Sequence, residues 1–354
     1  MNVEKSVTIE ISTIGNAFAT RTVEDIVRLI EVYERCRSFL QEYYKDNIPK
    51  FYGRFNQGVC SINLADIALS SKKDMNLFWK IMDERLELAY KGLMSKHNNL
   101  KGTKAKVAPI LWQYGALARL QPEDVIDELL YDDYSSISLA YSGIHETVLY
   151  MTGLNHTEGI GMEFGKKILI YMNEKCKEWK DATRIGFSVY GVPQESLTLK
   201  FAKAIQKRHG IIEGISDKNY IMNSYHVNIK EKVDAFTKLK IEGEYQPLSL
   251  GGSISYVETP NMTHNVEAVL EVIKFIYDTI MYAEINTQTS YCHNCGGSNI
   301  KMEKDLKFHC QDCGNEDFER MNVATRVCGY ISTNAFNEGR AEDIFNRVYH
   351  LGCD

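Results

Sequence analysis

The sequence predicts an α/β protein with a small separate module near its C-terminal end. Two observations predict the α/β part: short β-branched or buried apolar runs recur along the chain, and longer stretches of helical periodicity lie between them. A third predicts the module. Five of the nine cysteines fall between positions 292 and 328, and the composition changes after about residue 288.

Residues 6–12, Ser-Val-Thr-Ile-Glu-Ile-Ser, alternate and are β-branched, which predicts a short strand. Thr22 is placed to cap a helix to about residue 34, with Val23, Ile26, Val27, Leu29, Ile30 and Val32 near helical spacing. Residues 57–69, QGVCSINLADIAL, predict a buried strand running into a helix. Residues 74–95 predict an amphipathic helix with Leu77, Trp79, Ile81, Met82, Leu86, Leu88 and Leu93 on its apolar side. Residues 106–114, KVAPILWQY, predict another buried strand, and helices are expected over 121–131 and 159–178. Residues 184–210 predict a strand, a Gly-Pro turn, a polar cap and a helix stopped by Gly210. Residues 264–284 predict a helix through Val266, Val269, Leu270, Ile273, Ile276 and Ile280. No internal repeat is present.

The chain has 354 residues, 44% apolar and 25% charged. At roughly 150 residues per domain this allows about two domains or one large α/β domain. Forty-one basic against 47 acidic residues leave a net charge of −6, which argues against a global grip on nucleic acid or an anionic membrane. The N-terminus, MNVEKSVTIEIST, lacks the basic start and apolar run of a signal peptide. No apolar stretch approaches the roughly 18 residues of a membrane span. An odd number of clustered cysteines points to a reducing cytoplasm and to metal or redox chemistry rather than a disulfide framework.

Cys292-His-Asn-Cys295 and Cys310-Gln-Asp-Cys313 form two CxxC hooks separated by residues 296–309. This spacing can present four thiolates tetrahedrally to Zn²⁺, with Gly296-Gly297 and Gly314 supplying the tight turns. A redox dithiol pair and an iron–sulfur cluster are the other chemistries it admits. Four cysteines fill a zinc shell, so His293 and His309 are expected at the surface. A zinc ribbon can also bind nucleic acid, but Lys301, Lys304 and Lys307 are matched by Glu303, Asp305, Glu316, Asp317 and Glu319, which leaves no basic face.

After the hooks comes Arg326-Val-Cys-Gly-Tyr330. By residue type alone this reads as a turn in an apolar stretch. Placed just after a four-cysteine module, it resembles the glycyl radical loop of the anaerobic (class III) ribonucleotide reductases. The related pyruvate formate-lyases usually carry Ser where Cys328 stands and lack the quartet. The resemblance covers roughly residues 34–354 and is most similar to the T-even bacteriophage type. It includes Arg35-Cys-Arg-Ser-Phe-Leu40, Gly53-Arg-Phe-Asn-Gln-Gly-Val-Cys-Ser-Ile-Asn-Leu64, Ser188-Val-Tyr-Gly-Val-Pro-Gln-Glu-Ser196 and Gly251-Gly-Ser-Ile-Ser-Tyr256.

The resemblance implies a fold and a set of roles. The fold is half of a ten-stranded α/β barrel (residues 36–287) followed by a zinc-binding and glycyl radical module (288–354). Gly329 matches the glycine that stores the radical, installed by an activase that carries an iron–sulfur cluster and uses S-adenosylmethionine. Cys36 matches the cysteine that becomes a transient thiyl radical and takes the 3′-hydrogen of a ribonucleoside triphosphate. Formate is the expected reductant, and the assembled enzyme is expected to be a homodimer. Pro193, Glu195 and Ser196 are assigned to triphosphate binding, where a free helix N-terminus suits a phosphate; capping of the following helix explains the same residue types. Asn56 and Asn63 are alternative substrate contacts. Cys328 is expected to pack beside the radical glycine, and Cys60 in the core.

Residues 1–35 do not share the resemblance, and Glu34-Arg35 stands where the family usually has Met-Gly before the cysteine. The expectation is therefore the C-terminal part of a split or truncated reductase, paired with an N-terminal half polypeptide that completes the barrel. An inactive remnant or accessory chain is the competing expectation.

Overall fold

A computed structural model describes residues 43–50, 53–191, 194, 197–262, 264–287, 290–326, 331–332 and 336–352. The strand expected at 6–12 and the helix expected at 22–34 lie outside the described residues.

After a hairpin of β1 (Tyr43–Lys45) and β2 (Ile48–Lys50), β3 (Phe55–Asn63) runs into α1 (Leu64–Ser71), as the sequence predicts. The helix starts there because Asn63 caps it, its side chain accepting from the Asp66 amide. α2 (Met75–Leu100) follows, capped by Asp74. Its buried stripe is Phe78, Met82, Leu86, Ala89, Leu93 and His97, whereas Leu77 and Leu88 face solvent. β4 (Ser135–Ser142) leads into α4 (Ile144–Thr152), and α5 (Gly159–Thr183) precedes β5 (Gly186–Tyr190), with α3 (Pro109–Trp112) a single turn before β4. α6 (Leu197–His209) ends at Gly210, whose φ of +77° suits a glycine stop. α7 (Ala235–Tyr245), β6 (Ser255–Thr259), α8 (Val266–Thr279) and β7 (Ala283–Thr287) complete the α/β part.

The strands are parallel in the orders β3-β4-β5 and β6-β7. A parallel bridge between Gly191 and Ser253 joins the two sets into one order, β3-β4-β5-β6-β7. The helices cover one face, against Ile62, Ile137, Leu139, Tyr141, Phe187 and Val189 in one core and Val257 and Ile285 in another. The alternate residues face away from the helices and are mostly polar: Ser61 and Asn63, Ser136, Ser138 and Ser142, Ser188 and Tyr190, Tyr256 and Glu258, Glu284 and Asn286.

Three local expectations are corrected. Residues 106–114 are not a strand. Pro109 opens the single-turn α3, and Val107, Ile110 and Tyr114 are exposed. Residues 121–131 hold only a 3-10 turn over Asp127–Leu130. The helix expected over 264–284 stops at Thr279, and β7 begins four residues later. No described helix is long and apolar enough to cross a membrane.

Candidate functional site

The polar face of the sheet brings together segments far apart in sequence. The Gly191 amide donates to the Gly252 carbonyl at 2.9 Å, and the Gly251 amide to the Val189 carbonyl at 2.7 Å. The segments 189–191 and 251–253 therefore meet. Two glycines permit this contact. A Cβ on Gly191 would stand 2.6 Å from Ser249 Oγ, and one on Gly251 2.6 Å from Ser188 Oγ. The Gln194 amide group donates to the Tyr141 carbonyl (3.2 Å), its backbone N–H donates to Asn223 Oδ1 (2.9 Å), and Asn223 bridges Ser142. Around this junction the hydroxyls of Ser142 and Ser188 and Gln194 Oε1 are buried without a hydrogen-bond partner, and the buried Ser253 hydroxyl lies beside that of Tyr225. Buried polar groups are rarely left so. Ser142 ends β4 and Gln194 lies past the end of β5, while Ser188 stands mid-strand; the carboxyl ends of the strands are where open parallel sheets bind ligands.

Behind this face the charges are paired. Glu146 is fully buried and bonded to Lys218 (2.8 Å) and to the Met222 amide (3.0 Å). Burial raises its carboxyl pKa, but Lys218 and His145 outweigh that and hold it low. Glu242 is likewise buried. Desolvation pushes it up, and Lys238 and His226 bring it well below the usual carboxylate range.

The two candidate substrate asparagines have structural work. Asn63 caps α1, and Asn56 donates to Ser138 Oγ (2.6 Å) and Ser136 Oγ (3.2 Å) while accepting from the Gly58 amide (2.8 Å). Cys60 packs at the edge of the main core, and burial raises its thiol pKa.

The four hook cysteines converge. Their sulfurs all lie within 4.8 Å of one another, with Cys292 to Cys313 at 3.7 Å and Cys295 to Cys310 at 3.6 Å. Metal–sulfur bonds of about 2.3 Å in a tetrahedron require sulfurs about 3.8 Å apart, so the cluster could hold a metal ion such as zinc. Each hook turns in the same way: the Gly296 amide bonds the Cys292 carbonyl and the Gly314 amide the Cys310 carbonyl, with φ of +73° and +72°. β8 (Tyr291–Cys292) pairs with β11 (Met321–Asn322), and β9 (Ile300–Met302) with β10 (Phe308–Cys310). Desolvation raises the Cys292 thiol, but the Asn294 and Cys295 amides and the neighbouring sulfurs pull it to about 7. The Asn315 amide lowers Cys313, yet Cys295, desolvation, Cys310 and Cys292 push it up to about 12. Held as four thiolates, these sulfurs would need a cation to share. His309 interacts with Asp305 at the surface and His293 packs against the Tyr291 ring.

Beyond the ribbon, β12 (Thr325–Arg326) pairs antiparallel with β13 (Ile331–Ser332), so residues 327–330 connect the two strands of a hairpin. Arg326 is buried, ion-pairs with Glu284 on β7, and places its guanidinium 4.7 Å from the centre of the Tyr256 ring on β6. The following α9 (Glu338–Asn346) joins the parts. Ile344 and the preceding Phe336 pack on the ribbon core, and Arg347, just past its end, donates to the Arg326 carbonyl at 2.9 Å.

Gly329, Cys36, Pro193, Glu195, Ser196 and Cys328 lie outside the described residues. Sequence reasoning missed Asn223, Ser142 and Glu284, which carry no motif of their own; Tyr256 was visible as the last residue of Gly251–Tyr256 but had no role attached to it. Arg326 was visible as the first residue of RVCGY but had no role attached to it.

Comparison with known proteins places these features. The chain matches the anaerobic ribonucleoside-triphosphate reductase family over residues 10–350, a span that includes residues 10–35. It is 40% identical over 324 residues to the anaerobic ribonucleoside-triphosphate reductase of Salmonella typhimurium, covering 90% of this chain and 46% of that protein. Against the protein of the same name from Enterobacteria phage T4 it is 36% identical over 325 residues, covering 89% of this chain and 52% of that one. In fold it is similar to a solved anaerobic ribonucleotide reductase (TM-score 0.60, 20% identity, 87% of this chain and 48% of that one). It is equally similar to the Thermotoga maritima enzyme with glycerol in its active site (TM-score 0.60, 17% identity, 87% and 50%). The chain thus spans about half the length of the proteins it matches. A match over most of the chain, with the parallel sheet and the cysteine ribbon in place, establishes that the chain belongs to the anaerobic ribonucleoside-triphosphate reductase family.

Proposed function

We propose that this chain carries the C-terminal catalytic portion of an enzyme that reduces ribonucleoside triphosphates to 2′-deoxyribonucleoside triphosphates by glycyl and thiyl radical chemistry. One observation supports it most. In a chain of this family, the cysteine ribbon leads directly into a hairpin whose connection is Val327-Cys328-Gly329-Tyr330, and the strand entering it is tied to the polar face of the sheet.

In this reading residues 36–287 form part of the barrel and residues 288–354 the zinc and radical module. The rest of the barrel comes from an N-terminal half, and the assembled enzyme is a cytoplasmic homodimer. Cys292, Cys295, Cys310 and Cys313 would hold zinc; four protein ligands leave no open position, so its part is structural. A partner activase, using S-adenosylmethionine and an iron–sulfur cluster, removes one α-hydrogen from Gly329. Glycine suits the task because its radical can flatten and spread over both flanking amides. Cys36 gives its thiol hydrogen to Gly329 and takes the 3′-hydrogen of the substrate. The 2′-hydroxyl takes up a proton from solution and leaves as water, formate supplies two electrons and the hydrogen that C2′ gains and becomes carbon dioxide, and Cys36 returns the hydrogen to C3′. Pro193, Glu195 and Ser196 sit in the segment assigned to the triphosphate. The unpartnered hydroxyls of Ser142 and Ser188 are groups of the kind that bind a ribose.

The test is anaerobic activation of the chain with its activase, S-adenosylmethionine and a reductant, followed by electron paramagnetic resonance. A doublet is expected in the wild type and none in Gly329→Ala. A signal that survives Gly329→Ala sinks the assignment. Ribonucleotide turnover is expected only when the N-terminal half is supplied, and turnover by this chain unaided would remove that part of the reading.

A further inference from the structure

Tyr256 and Glu284 are direct partners in the register of β6 and β7, so the ring and the carboxylate stand side by side on the polar face. Arg326 spans both. Its guanidinium lies over the Tyr256 ring and its charge meets Glu284, whose other oxygen accepts from the Tyr282 hydroxyl at 2.9 Å. Tyr256 is also stacked by His226 at 5.4 Å and 29°. The Arg326 carbonyl is held in turn by Arg347, which also bonds Asp343 (2.8 Å) and approaches Glu258 on β6 (3.5 Å). Side chain and backbone of one residue are thus fixed from two directions. A planar guanidinium, unlike a lysine ammonium, can stack on a ring and bond a carboxylate at once.

We propose that Arg326 is a positioning residue that pins the strand entering the 327–330 connection to the Tyr256–Glu284 pair of the sheet. That the connection carries the radical rests on the function proposed above; the pinning itself does not. It sets the distance over which hydrogen is exchanged with the thiol, so it governs turnover without contributing to nucleotide affinity.

Two measurements on the full chain test this. In amide hydrogen exchange, Arg326→Met is expected to speed exchange at residues 325–332 at least tenfold while β3, β4 and β5 keep wild-type rates. Unchanged exchange at 325–332 overturns the proposal. So does faster exchange throughout, which would mean that Arg326 supports the fold as a whole. In the activated, assembled enzyme, kcat per radical spin is expected to fall at least tenfold in Arg326→Met and about fivefold in the isosteric Glu284→Gln, with KM within twofold of wild type. Arg326→Lys, which keeps the charge but cannot stack and bond together, is expected to recover only part of the loss. Wild-type kcat in Glu284→Gln, or a loss expressed in KM, also overturns it. If the wild-type chain yields no Gly329-dependent signal, the function reading fails, and hydrogen exchange alone decides the pinning.

Discussion

The parallel sheet and the cysteine ribbon hold their strands by opposite means. β3, β4 and β5 are five to nine residues long and lie against a continuous core in which Leu64, Phe78, Met82, Leu93, Ile137, Leu139 and Ile168 are almost fully buried. The ribbon strands are two or three residues long, and their core is six residues, two of which are the hook cysteines Cys292 and Cys310. A sheet on that scale is stabilised by apolar area, whereas a module so small needs cross-links or a metal. The two regions should therefore fail separately.

The largest expected effect is at the ribbon. A bound structural zinc contributes on the order of 10 kcal/mol. Cys310→Ala, or exhaustive chelation, is expected to abolish metal binding and to remove exchange protection from β8–β11 while α2 and α5 keep theirs. Loss of protection in both regions together would show that they form one cooperative unit. Next comes the sheet. Phe78 is fully buried and packs edge-on to Trp79 and against Phe164. Phe78→Ala is expected to cost about 3–5 kcal/mol, measured by urea unfolding, with the metal content of the ribbon unchanged.

The smallest effect concerns the seam that ties the C-terminal tail to β6. His350 receives the Glu258 amide on Nδ1 at 2.8 Å, and its backbone bonds the Glu258 carbonyl at 2.8 Å and the Ala235 amide at 3.0 Å. Burial, with Lys238 nearby, lowers its pKa to about 3. The unfolded chain therefore takes up this proton first, near the ordinary histidine value of about 6.5. The stability is fully present above that pH and is lost as pH falls toward 3. Between pH 6.5 and 5 the loss is expected to be about 2 kcal/mol. Denaturant titrations across this range should show it, and His350→Gln should flatten the slope. An unchanged slope in His350→Gln would place the acid sensitivity elsewhere.

Legibility in the sequence followed the strength of local patterns. The β3–α1 unit, α2, α5 and the strand and helix of 184–210 were readable because their apolar spacing, caps and glycine stops all act within a few residues. β4 was not readable. Ser135–Ser142 alternates serine with apolar residues, because only one face meets the helices and the other belongs to the site, whereas parallel strands usually read as continuous apolar runs. The apolar run at 106–114 misled in the other direction. Pro109 starts a turn, and Val107, Ile110, Leu111 and Tyr114 stay at the surface while Trp112 turns into a core.

The same division holds for the site. The CxxC pairs and their glycine turns determined the four-sulfur cluster by themselves, because two short hooks bring their own geometry and need only a hairpin between them. The RVCGY segment was likewise visible in isolation. Only the tertiary structure decided that segments 189–191 and 251–253 touch, that the hydroxyls of Ser142, Ser188 and Ser253 are buried around that contact, and that Arg326 bridges Tyr256 and Glu284. Each of these depends on strands brought side by side by packing across a sheet, and no spacing along the chain encodes which residues that packing will make neighbours.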